Sequence, residues 1–389
     1  MHGYIQRACF NSILHQIKRY PAVALLGPRQ SGKSTLAQEV QKQIKKSIYL
    51  DLQDPRSLLR LEDPIALFEQ HEKNLIILDE IQKKPEFFPI LRSLIDKKRH
   101  PGRVLILGSA SPNLIKQSSE TLAGRICYLE ITPFQRKEVT DFCDFQSHWL
   151  RGGYPLSLLA ENNRDSFDWR INYIRTFLER DIPQLGFGYI SSSQMHRLWK
   201  MLAHSHGQIL NQSKLGQSLG VSSVSIRKYI SLLEQTFIIR QLSPYSFNLK
   251  KRLVKSPKIY IRDSGLLHAL LDIENVEDLM SHPVCGASFE SLVIENLIFQ
   301  FPNWEAFFLR TSNAAEVDLL LSKGQKKLLF EIKLNSSPKA SKGFYQLMEE
   351  IKPKEAFIIA PIKETFKVKG ITYSSLELFI NNKISQCME

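Results

Sequence analysis

The stretch Gly27-Pro28-Arg29-Gln30-Ser31-Gly32-Lys33-Ser34-Thr35 has the composition of a loop that wraps a phosphate group. Its glycines let backbone N–H groups curl around an anion where a side chain would block the approach. A strand-like run at residues 23–26 precedes it and an apolar-periodic helix follows, which is the setting such a loop needs. The helix N-terminus adds its dipole. In that setting Lys33 is expected to reach the β- and γ-phosphates of ATP and Ser34 to ligate Mg²⁺. A second run, Leu75-Ile76-Ile77-Leu78-Asp79-Glu80, is four apolar residues ending in two carboxylates. A strand here carries its acids to the phosphate edge of a sheet, with Asp79 holding the magnesium through water and Glu80 polarising the attacking water. The pair of motifs predicts an ATP-binding, ATP-hydrolysing site.

Two further residues are candidates for that site. Residues 104–107 form another apolar strand ending in Gly108-Ser109-Ala110, and Ser109 reads either as a sensor of the γ-phosphate or as a plain turn serine. Arg125, after Leu122-Ala123-Gly124, reads either as a surface arginine or as a cation that neutralises transition-state charge, in its own chain or across a subunit interface.

A separate set of acids lies near the end of the chain: Glu290 on a helix-like stretch, Asp318 at the start of a strand, and Glu331 and Lys333 at the end of the next. Residues two apart in a strand share a face, so Glu331 and Lys333 point the same way. A hairpin through Lys323-Gly324-Gln325 would bring Asp318 near them. This order resembles the core of restriction-endonuclease-like nucleases. The resemblance implies that Asp318 and Glu331 hold Mg²⁺ and that Lys333 orients or activates water. Val317 departs from it, standing where that pattern has proline. Both an active nuclease and a domain that keeps the acids but only binds or assembles remain open.

The elements that position these residues follow from periodicity. Residues 1–150 alternate short apolar strands (23–26, 47–50, 75–78, 104–107 and 126–131) with helical stretches, which predicts a parallel sheet with crossover helices. Residues 151–260 begin with Arg151-Gly152-Gly153-Tyr154-Pro155, which reads as an interdomain turn. Helical spacing follows through Leu198, Leu202, Leu215, Leu219, Ile230, Leu233 and Ile238. Within it, residues 213–233 read as a helix-turn-helix, and two strand-like runs after it complete the order of a winged helix. The second helix would offer Ser223, Ser225, Arg227 and Lys228 to DNA. Lys250, Lys251, Arg252, Lys255 and Lys258 would decorate the wing, unless the segment is a purely structural lid. Residues 261–389 read as mixed α/β, with a helix at 289–299 and strands at 306–309, 317–321, 327–332 and 356–359.

The net charge of +13 is uneven: residues 151–260 hold 16 Lys and Arg against 6 Asp and Glu, while residues 261–389 hold 14 against 17. A basic middle segment points to a polyanion partner, with DNA the expected one. No apolar run approaches the roughly 18 residues of a membrane helix, and the start of the chain lacks a signal peptide's pattern. The expectation is a cytoplasmic protein without membrane contact. Five scattered cysteines have neither metal-ligand spacing nor an even count for disulfides.

Together the motifs resemble prokaryotic AAA+ ATPases, of an archaeal or STAND-like type, that fuse an ATPase core to a C-terminal domain of unassigned function. The resemblance rests on Gly27 to Thr35, Leu75 to Gln82, Gly108-Ser109-Ala110, Leu122 to Arg125, Arg151 to Pro155, Glu179-Arg180-Asp181, Pro257 to Tyr260 and Asp263 to Leu266. It implies an α/β AAA+ core, a winged-helix lid and a terminal nuclease-like domain, hence three segments at 1–150, 151–260 and 261–389. It also leaves room for ring assembly into a homo-oligomer.

Overall fold

A computed structural model of the chain describes residues 3–109, 120–184, 190–245, 256–311, 315–382, 384 and 387. Packing divides the chain into two compact units. The first comprises Met1–Phe134 with Asp181–Gly188 and Ser231–Ile238; the second comprises Gln135–Arg180, Tyr189–Ile230 and Ile239–Glu389.

Unit 1 is built on five strands: β1 (Ala22–Gly27), β2 (Ser47–Asp51), β3 (Leu75–Asp79), β4 (Val104–Ser109) and β5 (Ile126–Glu130). They form one sheet in the order β2-β3-β4-β1-β5, every pairing parallel. The central strands are apolar along their whole length because both faces are covered. Along β1, Ala22, Ala24 and Leu26 face a core with Phe68, Phe88 and Leu91. Val23 and Leu25 face the opposite core with Ile13, Leu36 and Val40. Each fully buried large apolar side chain contributes about 1.5–3 kcal/mol by leaving water. In all five strands the chain runs the same way, so the loop after β1 and the acids ending β3 emerge at the same edge. That edge, at the carboxyl ends of parallel strands, is where open α/β sheets hold ligands.

Unit 2 carries a mixed eight-stranded sheet. Its strands are β6 (Ile239–Pro244), β7 (Lys258–Ile261), β8 (Glu305–Arg310), β9 (Glu316–Lys323), β10 (Lys326–Ile332), β11 (Glu355–Ile359), β12 (Phe366–Val368) and β13 (Ile371–Ser374). The order is β12-β13-β11-β10-β9-β8-β6-β7. The hairpin expected through Gly324 is present as the antiparallel β9–β10 pair, and the helix expected at 289–299 is Cys285–Gln300. Two short strands, β12 and β13, have no counterpart in the sequence reading.

The mixed α/β fold, with a parallel sheet under the phosphate loop and a second α/β region toward the C-terminus, matches the expectation. Along the chain, helices Ser192–His204, Gln212–Leu219 and Ser223–Gln235 precede the antiparallel β6–β7 pair. The stretch from Arg151 to Pro155 is not an interdomain turn. Gly152 ends helix Phe145–Arg151 at φ 75°, and a Cβ there would sit 2.2 Å from Asp263 Oδ1. Asp263 accepts the Gly153 N–H at 2.8 Å, so this segment lies inside unit 2. Among the described residues, no helix is long and apolar enough to cross a membrane.

Candidate functional site

The loop from Gly27 to Thr35 joins β1 to helix Lys33–Gln43. Two of its residues take left-handed backbone, Gln30 at φ 61° and Gly32 at φ 89°. At Gly32 the absence of Cβ makes this cheap; at Gln30 the rest of the loop must impose it. Gly27 is needed for another reason: a Cβ there would lie 2.1 Å from the Ile131 carbonyl oxygen. The Ser31 hydroxyl donates to the Pro28 carbonyl at 2.9 Å. Lys33 is buried, and its ammonium donates to the carbonyls of Gly27 at 3.0 Å and Pro28 at 2.7 Å. Burial lowers the Lys33 pKa to about 8, against the opposing pull of Glu80 and Asp79. A cation so placed, desolvated and resting on its own loop, is matched to an incoming anion. Pro28 is buried, while Gln30 and Thr35 are exposed.

Asp79 ends β3 and is buried; its Oδ1 accepts the Glu80 N–H at 2.9 Å. Glu80 follows at φ 57°, a left-handed conformation for a non-glycine residue, and accepts from the Gln82 side chain. Strain of this kind is held in place only by its surroundings and is concentrated at functional sites.

Three residues that the sequence reading missed complete the site. The Tyr49 hydroxyl, on β2, donates to Asp79 Oδ2, and the Ser34 side chain lies near enough to lower its pKa. Burial, then the Asp79 bond and charge, push its pKa up. Arg7 is buried against the loop, donating to the Ser31 carbonyl at 2.8 Å and the Thr132 carbonyl at 2.6 Å, with Phe134 under its guanidinium. Asp181, within unit 1, forms an ion pair with Arg29. Only Asp181 had a signal in the sequence, as part of Glu179-Arg180-Asp181.

The remaining candidates of unit 1 fall differently. Ser109 ends β4 with its backbone beside Gly27, and Ala110 lies outside the described residues. Arg125 precedes β5, and its carbonyl accepts the N–H of Ala22, at the start of β1. It therefore lies at the edge of the sheet opposite the loop, the full six-residue length of β1 from Gly27, and it pairs with Asp96 at 2.6 and 2.8 Å. At about 3.3 Å of rise per residue, it does not reach a phosphate held by its own chain. That half of the expectation is withdrawn; a role in a neighbour's site is untouched.

In unit 2, Asp318 and Glu331 lie on the adjacent strands β9 and β10 as expected. Asp318 Oδ2 accepts the Ile332 N–H at 2.8 Å. Glu331 is buried, pairs with Lys333 at 3.0 Å and accepts the Ser341 N–H at 3.2 Å. The Lys333 pKa is raised: burial pulls it down, and the Glu331 bond with the charges of Glu331, Asp318 and Glu290 outweighs that. Burial first and then the Glu290 charge raise the pKa of Asp318.

Lys258 requires a correction. It does not decorate a wing, since it is 4% exposed and its ammonium lies 3.2 Å from Glu290 Oε1 and 2.6 Å from Glu316 Oε1. Two residues on, the Tyr260 hydroxyl also donates to Glu290. The Mg²⁺ that the nuclease resemblance implies does not fit these residues. Lysines hold oxygens of Glu290, Glu316 and Glu331, and a backbone N–H holds one of Asp318. Among the described residues no three His, Cys, Asp or Glu side chains gather as a metal would require. Lys250, Lys251, Arg252 and Lys255 lie outside the described residues. Ser223, Arg227 and Lys228 are exposed on helix Ser223–Gln235, and Ser225 is half-buried.

Comparison with known proteins gives three family matches in succession. Residues 19–140 match an AAA domain, residues 143–277 a domain of unknown function, DUF8612, and residues 285–379 a second one, DUF4143. An uncharacterized protein of Mycobacterium tuberculosis is 40% identical over 350 residues, spanning 90% of this chain and 78% of the relative. An uncharacterized protein of Methanocaldococcus jannaschii is 22% identical over 369 residues, 84% of this chain and 79% of the relative. Among solved structures, a Walker-type ATPase of Pyrococcus abyssi aligns at TM-score 0.47 and 14% identity, covering 69% of this chain and 96% of that one.

Proposed function

This chain belongs to the same family as the mycobacterial protein, and we propose that, with its AAA-type P-loop domain, it binds and hydrolyses ATP in unit 1 and passes the nucleotide state to a nucleic-acid partner. The observation that carries the first half is the convergence of loop and acids at one sheet edge, with the buried Lys33 ammonium resting on carbonyls of its own loop. The residues also fit a magnesium ion, because Asp79 is held by the Tyr49 hydroxyl, on which Ser34 also acts, so Ser34 and Asp79 flank one small polar space. Ser34 and Asp79 would hold Mg²⁺, which when bound neutralises phosphate charge. The loop N–H groups and Lys33 bind and orient the phosphates. Glu80 sits one residue beyond Asp79 at the strand end and takes the role of orienting water and accepting its proton. Arg7 and the Arg29–Asp181 pair keep the loop in its phosphate-ready shape.

For the second half, the support is the +10 balance of residues 151–260 together with the exposed Ser223, Arg227 and Lys228. Cations on one exposed helix bind phosphates and make affinity fall with salt. The test of the first half is steady-state turnover of purified protein: Lys33→Ala abolishes ATP hydrolysis, and unchanged turnover would sink the ATPase reading. The second half is tested by adding duplex and single-stranded DNA, which raises turnover if the nucleotide state and DNA binding are linked.

A further inference from the structure

Strand β7 places Lys258 and Tyr260 on one face, being two residues apart. Both side chains converge on Glu290, and Lys258 also reaches Glu316 on β9. The Lys258 side chain is 5% exposed, with the centre of the Phe308 ring 5.6 Å from its nitrogen and the charge of Asp318 acting on it. An ammonium with this surrounding has exchanged its water for the carboxylates of Glu290 and Glu316, which is what a buried lysine requires to stay charged.

We propose that the Lys258 ammonium is the resident cation of the terminal acid cluster, standing in for the divalent ion that a nuclease of this design would hold. The domain therefore works without a metal and does not cleave phosphodiester bonds. A hard divalent ion needs about six oxygens closing in at about 2.1 Å. Each carboxylate keeps lone pairs free, but Glu290 and Glu316 already face the full positive charge of Lys258, whereas a ligand such as Asp79 faces only a neutral hydroxyl. An entering ion would also meet a fixed positive charge with little solvent to screen it. Two further cations stand by the cluster, Lys333 paired with Glu331 and Arg310 3.6 Å from Glu316. The inference is independent of the ATPase reading, since every residue in it belongs to unit 2.

The experiment is a Mn²⁺ titration of the full-length, nucleotide-free protein, followed by electron paramagnetic resonance of free Mn²⁺ and by thermal unfolding. Wild type is expected to bind no Mn²⁺ that Asp318→Asn removes. Lys258→Met keeps the length of the side chain but removes the buried ammonium from between the acids, so it gains one Mn²⁺ and a Mn²⁺-dependent rise in Tm. Both gains disappear in Lys258→Met/Asp318→Asn. Should Lys258→Met fail to fold, Lys258→Met/Glu290→Gln removes one facing charge and is expected to bind one Mn²⁺ more weakly. Wild-type binding that depends on Asp318, or a folded Lys258→Met (or its double variant) that binds none, overturns the proposal. So does plasmid cleavage by wild type with Mn²⁺ that Lys333→Ala abolishes.

Discussion

Tyr49→Phe isolates one hydroxyl that connects the two residues expected to hold magnesium. The ring stays, so the packing of β2 is preserved, and only the bond to Asp79 and the hydroxyl near Ser34 are lost. A carboxylate accepts more than one hydrogen bond, so Asp79 can keep Tyr49 and still face the metal. Ser34, beside the same hydroxyl, can face the metal with a lone pair. Tyr49 is thus a positioning residue, holding both groups in one orientation. Removing a bond of this kind behind a metal ligand typically costs about 10–100-fold in metal affinity. The lower end is about 1.4 kcal/mol, close to the roughly 1.5–3 kcal/mol of a hydrogen bond to a charged group. The expected result is a half-saturating Mg²⁺ concentration for ATP hydrolysis raised about tenfold. Calorimetry should show the same loss for Mn²⁺ binding to the ADP complex, while metal-free ADP binds within about twofold of wild type. An unchanged Mg²⁺ requirement with a lower kcat would place Tyr49 outside the metal's surroundings. A reduced requirement would mean that its hydroxyl competes with the ion, and the positioning argument would fail.

Three other outcomes follow from the same geometry. Glu80→Gln keeps the shape but loses the base, so turnover falls by about 100-fold or more while a fluorescent ATP analogue still binds; retained turnover would move the base elsewhere. Arg227→Ala/Lys228→Ala weakens DNA binding for all sequences alike and lowers the slope of log affinity against log salt by about 1–2, read by fluorescence anisotropy; an unchanged slope would place the DNA contact elsewhere. In unit 2, burial holds the pKa of His206 and of His268 down to about 3, well below the unfolded value of about 6.5. Between those values the unfolded chain binds protons that the folded one does not, so stability falls as pH drops below about 6.5. Burial also pushes Asp263 up to about 6, which acts the other way, because its protonation below that pH favours the fold. From pH 7 to pH 5 each histidine costs roughly 2 kcal/mol and Asp263 returns roughly 1.4. Burial raises Asp318 as well and adds to that return, so urea unfolding is read as a difference: His206→Gln/His268→Gln should remove a loss of about 4 kcal/mol between pH 7 and pH 5 relative to wild type, and parallel profiles of the two proteins would show that these rings are not held neutral.

The phosphate loop and the acids of β3 were legible because their chemistry is local. Gly27 to Thr35 is contiguous, and Leu75 to Glu80 needs only a strand that ends at the right edge. The parallel sheet was legible too, since apolar runs without alternation mean strands covered on both faces. Tyr49 and Arg7 were not. Tyr49 is one aromatic in a five-residue strand, and its value depends on β2 pairing with β3 so that Tyr49 lies beside Ile77, two residues before Asp79. Arg7 acts on Ser31 and Thr132, 24 and 125 positions away, and nothing near it in the chain marks that reach. The same-chain role read for Arg125 fell for a related reason: a motif fixes where a residue lies in sequence, whereas its edge of the sheet follows from strand direction.

Lys258 shows most clearly what sequence alone leaves undetermined. Beside Lys250, Lys251, Arg252 and Lys255 it reads as one more exposed cation, and charge composition treats all five alike. What separates it is strand parity combined with pairing. Within Lys258-Ile259-Tyr260-Ile261 the two polar side chains share a face, which was visible, but both faces of β7 are buried, which was not. A lysine on a buried face must find carboxylates or lose its charge, and those available come from helix Cys285–Gln300 and strand β9, 32 and 58 residues further on. The same acids and lysine that spell a nuclease in sequence thus become, once β7 is added to the sheet, a cluster already supplied with its cation. The residue that decides their chemistry lies outside the motif.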